Sequence, residues 1–119
     1  MKIENRKKTK NTVLYTVESR ILREKQRWGS DYCRNNWHIH HKGGQILLVT
    51  GGRGYYQEWG KEAQELKAGD VVNIPPEVKH WHGAAPDSWF QHLAIEVPAE
   101  GASNEWLEAV SDEEYGKLK

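Results

Sequence analysis

The stretch Trp37-His38-Ile39-His40-His41-Lys42-Gly43-Gly44-Gln45 decides how this chain is read. In an extended segment, residues two apart project to one side, so His38 and His40 face together while Trp37 and Ile39 face the other way. His41-Lys42-Gly43-Gly44 can make a tight turn or bulge, and the next strand then starts with Gln45 back on the side of the two imidazoles. The same alternation puts Leu47 and Val49 on that face, so apolar walls flank the polar cluster. A buried amide carbonyl beside two imidazoles needs a partner, and a divalent cation would satisfy all three.

Moving outward, the segments between glycines and prolines alternate with period two, which predicts a β-rich body. Strands are expected at residues 37–40, 45–50, 55–59, 63–66, 71–74, 80–82 and 89–97. Gly51-Gly52-Arg53-Gly54, Gly60-Lys61-Glu62 and Lys67-Ala68-Gly69-Asp70 read as the turns between them. Many short strands at near-regular spacing indicate an all-β sandwich or barrel. After the rigid Pro75-Pro76, His80 and His82 repeat the alternation, and one of them is expected as a direct ligand. Phe90-Gln91-His92-Leu93-Ala94-Ile95 alternates as well, turning His92 inward and Leu93 and Ile95 outward. By parity His41 belongs on the surface or at an interface, and Trp37 and Trp81 point away from the histidines. At most one of Tyr55 and Tyr56 can reach the pocket.

At 119 residues the chain is expected to be one domain with a single core. Lys and Arg total 17 and so do Asp and Glu, which leaves no general pull toward nucleic acid or an anionic membrane. No apolar run approaches the roughly 20 residues that cross a bilayer. The basic start, Lys7-Lys8-Thr9-Lys10, leads into Asn11-Thr12-Val13-Leu14-Tyr15 without the apolar core of a secretion signal, so the cytoplasm is the expected compartment. The lone Cys33 has no internal disulfide partner and reads as a packing residue. Residues 13–17 are strand-like, and 21–27 fit helix or strand equally. Residues 104–108 could open a short helix or lie extended over the barrel, and Asp112-Glu113-Glu114-Tyr115 reads as a solvated acidic tail.

The histidine spacing resembles that of the cupin superfamily. His38, His40, Gln45 and Gly52 match the first cupin motif, and Gly69, Pro75 and His80 match the second. Tyr32 and Glu77 stand where the motifs carry glycine, and Ala84 stands where the second carries asparagine. Residues 33–115 resemble the small single-domain bacterial cupins, among them manganese-dependent hydroxynitrile lyases and cupins encoded with carboxymuconolactone decarboxylase-like proteins. Residues 1–32 match poorly and imply an incomplete or rearranged N-terminal edge, able to lend a strand to a second copy; residues 33–119 would form the barrel and C-terminal tail.

The resemblance implies a double-stranded β-helix, a jelly roll, with His38, His40, Gln45 and His80 as ligands of a metal near one mouth. It makes His92 the candidate general base and His82 a support behind the ligands. Mixed nitrogen and oxygen donors suit manganese, iron, nickel or zinc. With Gln45 in place of a carboxylate, the four ligands are neutral and a bound cation keeps its full double charge. The expected activity is that of a metal-dependent enzyme, lyase- or isomerase-like, on a small oxygenated molecule. A metal-dependent dioxygenase and a non-catalytic ligand- or metal-binding module are the alternatives. The expected partners are a small molecule and a second copy in a homodimer. No helix-turn-helix pattern accompanies the barrel, so nucleic acid is not expected.

Overall fold

A computed structural model describes residues 2–9, 12–19 and 34–118, the first two segments by their backbone alone. Cys33 and residues 21–27 lie outside the described residues. Nine strands run in chain order: β1 (Lys2–Thr9), β2 (Thr12–Ser19), β3 (His38–His41), β4 (Gln45–Glu58), β5 (Gln64–Lys67), β6 (Val71–Ile74), β7 (His80–Ala84), β8 (Phe90–Glu96) and β9 (Ser103–Trp106). One short helix, α1 (Asp112–Gly116), follows. Every pairing is antiparallel, in two sheets that share β4. One runs β1-β2-β8-β4-β6 and the other β9-β3-β7-β4-β5. This is the all-β double-stranded β-helix that the sequence predicts.

The glycine-rich Gly51–Gly54 is not the turn expected there. β4 runs unbroken for 14 residues, pairing first with β8 and β6 and then with β7 and β5, with a register shift between Val49 and Gly51. The glycines mark a bulge where the strand changes sheets, and they make room for a neighbour. A Cβ on Gly52, at φ +74°, would collide with the carbonyl oxygen of Trp89, and one on Gly54 with that of Gly83. The expected strand at 13–17 lies within β2, which pairs along β8 from Val13↔Glu96 to Ser19↔Phe90.

Two apolar clusters follow from the alternation. Leu47, Val49, Tyr56, Leu66, Ile74, Ala84, Phe90 and Ala94 fill the space between the sheets. Trp37, Tyr55, Trp81, Ala85 and Val110 form a second cluster on the outer face of the β9-β3-β7-β4-β5 sheet, with Leu107, Tyr115 and Leu118 packed against it. The C-terminal segment is therefore more than a solvated acidic tail. Its acids are exposed, but Tyr115 donates a hydrogen bond to the Ala84 carbonyl (2.5 Å) and lies beneath the Arg34 guanidinium, 4.1 Å from its ring centre. Arg34 also donates to the Val110 carbonyl (2.9 Å) and to Asp112 (2.8 Å). The Ser111 hydroxyl caps α1 by accepting from the Glu114 amide, and Asp112, Glu113 and Glu114 occupy the positive end of the helix. Among the described residues no helix is long and apolar enough to cross a membrane.

Candidate metal centre

β3 and β7 are neighbours, with His38 directly opposite His80, and this pairing builds the centre. Both strands turn their even-numbered residues inward, so His38, His40, His80 and His82 are all buried on one face. One nitrogen from each of His38, His40 and His80 falls within 4.8 Å of the others, a spacing that a single cation can bridge. The ring centres of His38 and His80 are 4.2 Å apart, and that of His40 lies 5.0 Å from the first and 5.2 Å from the second.

Each of the three rings is fixed from behind. His38 Nδ1–H donates to the Asn36 carbonyl (2.8 Å), His80 Nδ1–H to the Val78 carbonyl (2.9 Å) and His40 Nδ1–H to Asn104 Oδ1 (2.7 Å). With Nδ1 carrying the proton, each Nε2 presents a lone pair to the common point, the arrangement a metal ligand requires. Among the described residues, His40 Nε2, His80 Nε2 and Gln45 Oε1 are buried without a hydrogen-bond partner. Orphaned acceptors are costly in an interior, and a cation would satisfy several of them at once. The donor set thus fits a divalent ion on its own chemistry. Burial, reinforced by the neighbouring histidine charge, pushes His38 down to about 3, and burial lowers His80 to about 4. Both rings are therefore neutral, as ligation demands.

Gln45 opens β4 opposite Ile74 and Glu96, and its Nε2 donates to Glu96 Oε1 at 2.5 Å. Asn104 and Glu96 escape sequence reasoning because both lie more than 50 residues from the ligand they touch. The only trace of Asn104 is its place in residues 104–108, where the extended alternative holds for 104–106: they lie in β9, which pairs His40 with Asn104 and His38 with Trp106. The Trp106 indole packs on the His38 ring, 4.5 Å between centres, yet remains 59% exposed. An open hollow of about 740 Å³ lies along the segment joining β8 to β9, lined by Glu96 and Asn104 among others and by none of the clustered histidines.

His82 lies deeper, its ring 5.8 Å from that of His38 and 5.0 Å from that of His92. Asn35 holds it, its amide donating to the His82 ring (3.2 Å to Nε2) and its carbonyl accepting the His82 backbone amide (2.9 Å). His92 is fully buried, and among the described residues neither ring nitrogen makes a hydrogen bond of good geometry, the Leu93 backbone being the polar group beside it. Burial pushes it down to about 4 and His82 well below its usual value. Both lie below the near-neutral range in which a general base works best. The His92 ring is a neutral acceptor across the physiological range, and its protonated form needs an anion beside it.

Glu77, standing at a motif glycine, keeps the left-handed backbone that glycine favours, with φ +67°. Its carboxylate compensates by accepting from His41 Nδ1 (2.6 Å) and the Lys42 amide (2.8 Å), while His41 Nε2 donates to Glu105 (2.7 Å). His41 is thus a half-exposed clamp outside the histidine cluster, and the two carboxylates raise its pKa. Tyr56, with its ring 5.7 Å from that of His80, is the tyrosine that reaches the pocket. Its hydroxyl donates to Glu58 (3.0 Å), and burial raises its pKa.

The sequence profile of the cupin domain matches residues 32–94, more than half of the chain. The chain belongs to the cupin family. Over 83 residues, 70% of its length, this cupin is 46% identical to the (R)-mandelonitrile lyase of Granulicella tundricola, and the match spans 63% of that enzyme. A cupin-like protein from Thermotoga maritima superposes with a TM-score of 0.76 and 46% identity, covering 91% of this cupin and 73% of the other. An RmlC-like cupin with a double-stranded β-helix fold from Methanocaldococcus jannaschii shares the fold alone, with a TM-score of 0.64 at 14% identity, over 81% of this cupin and 78% of that chain.

Proposed function

We propose that this cupin is a divalent-metal-dependent enzyme of the lyase type, acting on a small hydroxylated molecule such as a cyanohydrin. The observation that carries the reading is the cluster of His38, His40 and His80, with a nitrogen of each within 4.8 Å of the others, together with His40 Nε2, His80 Nε2 and Gln45 Oε1 buried without a hydrogen-bond partner among the described residues. Similarity to a mandelonitrile lyase supports the same reaction class. His38, His40, Gln45 and His80 hold the ion. Bound there, manganese, iron, nickel or zinc supplies a Lewis acid that polarises a substrate oxygen. His92, buried and neutral, takes the hydroxyl proton as the neighbouring carbon–carbon bond breaks, its electron pair leaving with the departing anion. That anion is then the counter-charge which a buried imidazolium requires, and its protonation by His92 restores the neutral ring. His82, fixed by Asn35, keeps the His92 ring at its angle.

The test joins metal analysis to turnover. Protein purified without chelator should carry or take up about one divalent ion per chain and release aldehyde or ketone from hydroxynitriles. His92→Ala should retain the ion and lose roughly 100-fold or more in kcat. Failure of the wild-type protein to bind any supplied divalent ion would exclude the reading. A second copy of the chain is the proposed partner, with strands from residues 1–32 available for exchange, and a monomeric mass by light scattering at micromolar concentration would exclude it.

A further inference from the structure

Glutamine is an ambiguous donor to a cation, because its amide has an oxygen that attracts and an NH₂ of similar shape that repels. Something must decide which end faces the histidines. Gln45 is 6% exposed, and its Nε2 meets Glu96 Oε1 at 2.5 Å. A carboxylate only accepts, so it selects the NH₂ and leaves Oε1 pointing inward, where it is found buried and unpartnered. Glu96 Oε2 lies 3.5 Å from His40 Nδ1, too far for a good hydrogen bond, and that proton is already accepted by Asn104 at 2.7 Å. Among the described residues the tight donor group consists of histidines only, so Glu96 stands behind Gln45 rather than in the group.

We propose that Glu96 is the positioning residue of the centre: it sets the orientation of the Gln45 amide and places a negative charge just outside a neutral ligand set. The inference rests on the metal-binding reading above. Residues 45 and 96 face each other in register at the ends of β4 and β8, and together they hold one carboxylate and one amide. The carboxylate is the outer of the two, so an ion held here has its charge offset at a distance, and an inward oxygen remains at Gln45.

The experiment compares wild type, Glu96→Gln and the exchange Gln45→Glu/Glu96→Gln, with Mn²⁺, Zn²⁺ and Co²⁺ as probes. Affinity is read by competition with a fluorescent chelator, the oxygen donor by the visible spectrum of bound Co²⁺, and folding by thermal melting of the metal-free proteins. In Glu96→Gln the amide loses its acceptor-only partner, and affinity should fall roughly 10- to 100-fold with an altered Co²⁺ spectrum and little change in melting. The exchange restores a carboxylate–amide contact with the oxygen donor inward, and affinity should return to the wild-type level or above it. Glu96→Gln binding within threefold of wild type would overturn the inference alone, as would a loss that the exchange does not recover. No binding by wild type would overturn it together with the reading on which it rests.

Discussion

His80 and Trp81 are neighbours in β7, both essentially inaccessible to solvent, and they sit on opposite faces of one sheet. On the outer face, Trp81 donates its Nε1–H to Gln57 (2.8 Å), packs near Tyr115 and is roofed by the C-terminal segment, and Lys79 lies 3.5 Å from the centre of the Trp59 ring. Trp37 Nε1 is the one polar atom of that cluster without a partner. On the inner face the exceptions are the rule, since His40 Nε2, His80 Nε2 and Gln45 Oε1 are all open. Equal burial therefore carries two meanings. Where polar atoms are matched it contributes stability, and where several stay unmatched around one point it marks chemistry.

Substitution should separate the two faces. The largest effect is expected from His80→Ala, which removes a donor and should weaken metal affinity beyond the roughly 100-fold cost of losing an outer contact, as measured by chelator competition. Its cost to the metal-free fold should be smaller than that of Trp81→Ala, because it also deletes an unsatisfied buried nitrogen. Trp81→Ala should do the reverse, lowering unfolding free energy in urea by about 3–5 kcal/mol and leaving metal stoichiometry intact in the folded fraction. Equal destabilisation by both variants would break the comparison.

Acid sharpens it. His92, held at about 4, and His82, held well below its usual value by burial, are neutral when folded but take up protons in the unfolded chain below about pH 6.5. Their contribution to stability is full above pH 6.5 and is lost as pH falls toward 4, by up to about 1.4 kcal/mol per pH unit for each ring. Urea titrations of metal-free protein should show that slope, and His92→Leu should make it shallower. The smallest effect is expected from Ser111→Ala on the outer roof, about 1 kcal/mol from the lost helix cap, with metal affinity unchanged.

Strand parity made most of the centre legible. His38, His40, Gln45, His80 and His92 all lie on the face that alternation predicts, and Trp37 and Trp81 on the other. Parity is a local property, and what it could not reach is what depends on distant pairing. Asn104 meets His40 only because β9 pairs with β3, and Glu96 meets Gln45 only because β8 pairs with β4. The glycines at 51–54 misled for a related reason. In sequence, a glycine that frees the backbone to turn looks the same as one that clears space for Trp89 and Gly83. The tail was legible only in part because its exposed acids mask the apolar residues that anchor it, Val110 and Tyr115 among them.

The uninterrupted β4 bears on whether the layers can part. A sandwich of two separate sheets can part along its seam like a clamshell. Here one strand is stitched into both layers, hydrogen-bonded to β8 and β6 at one end and to β7 and β5 at the other. Opening the layers would mean tearing that strand from its neighbours, so the two layers hold together as one body around the histidines.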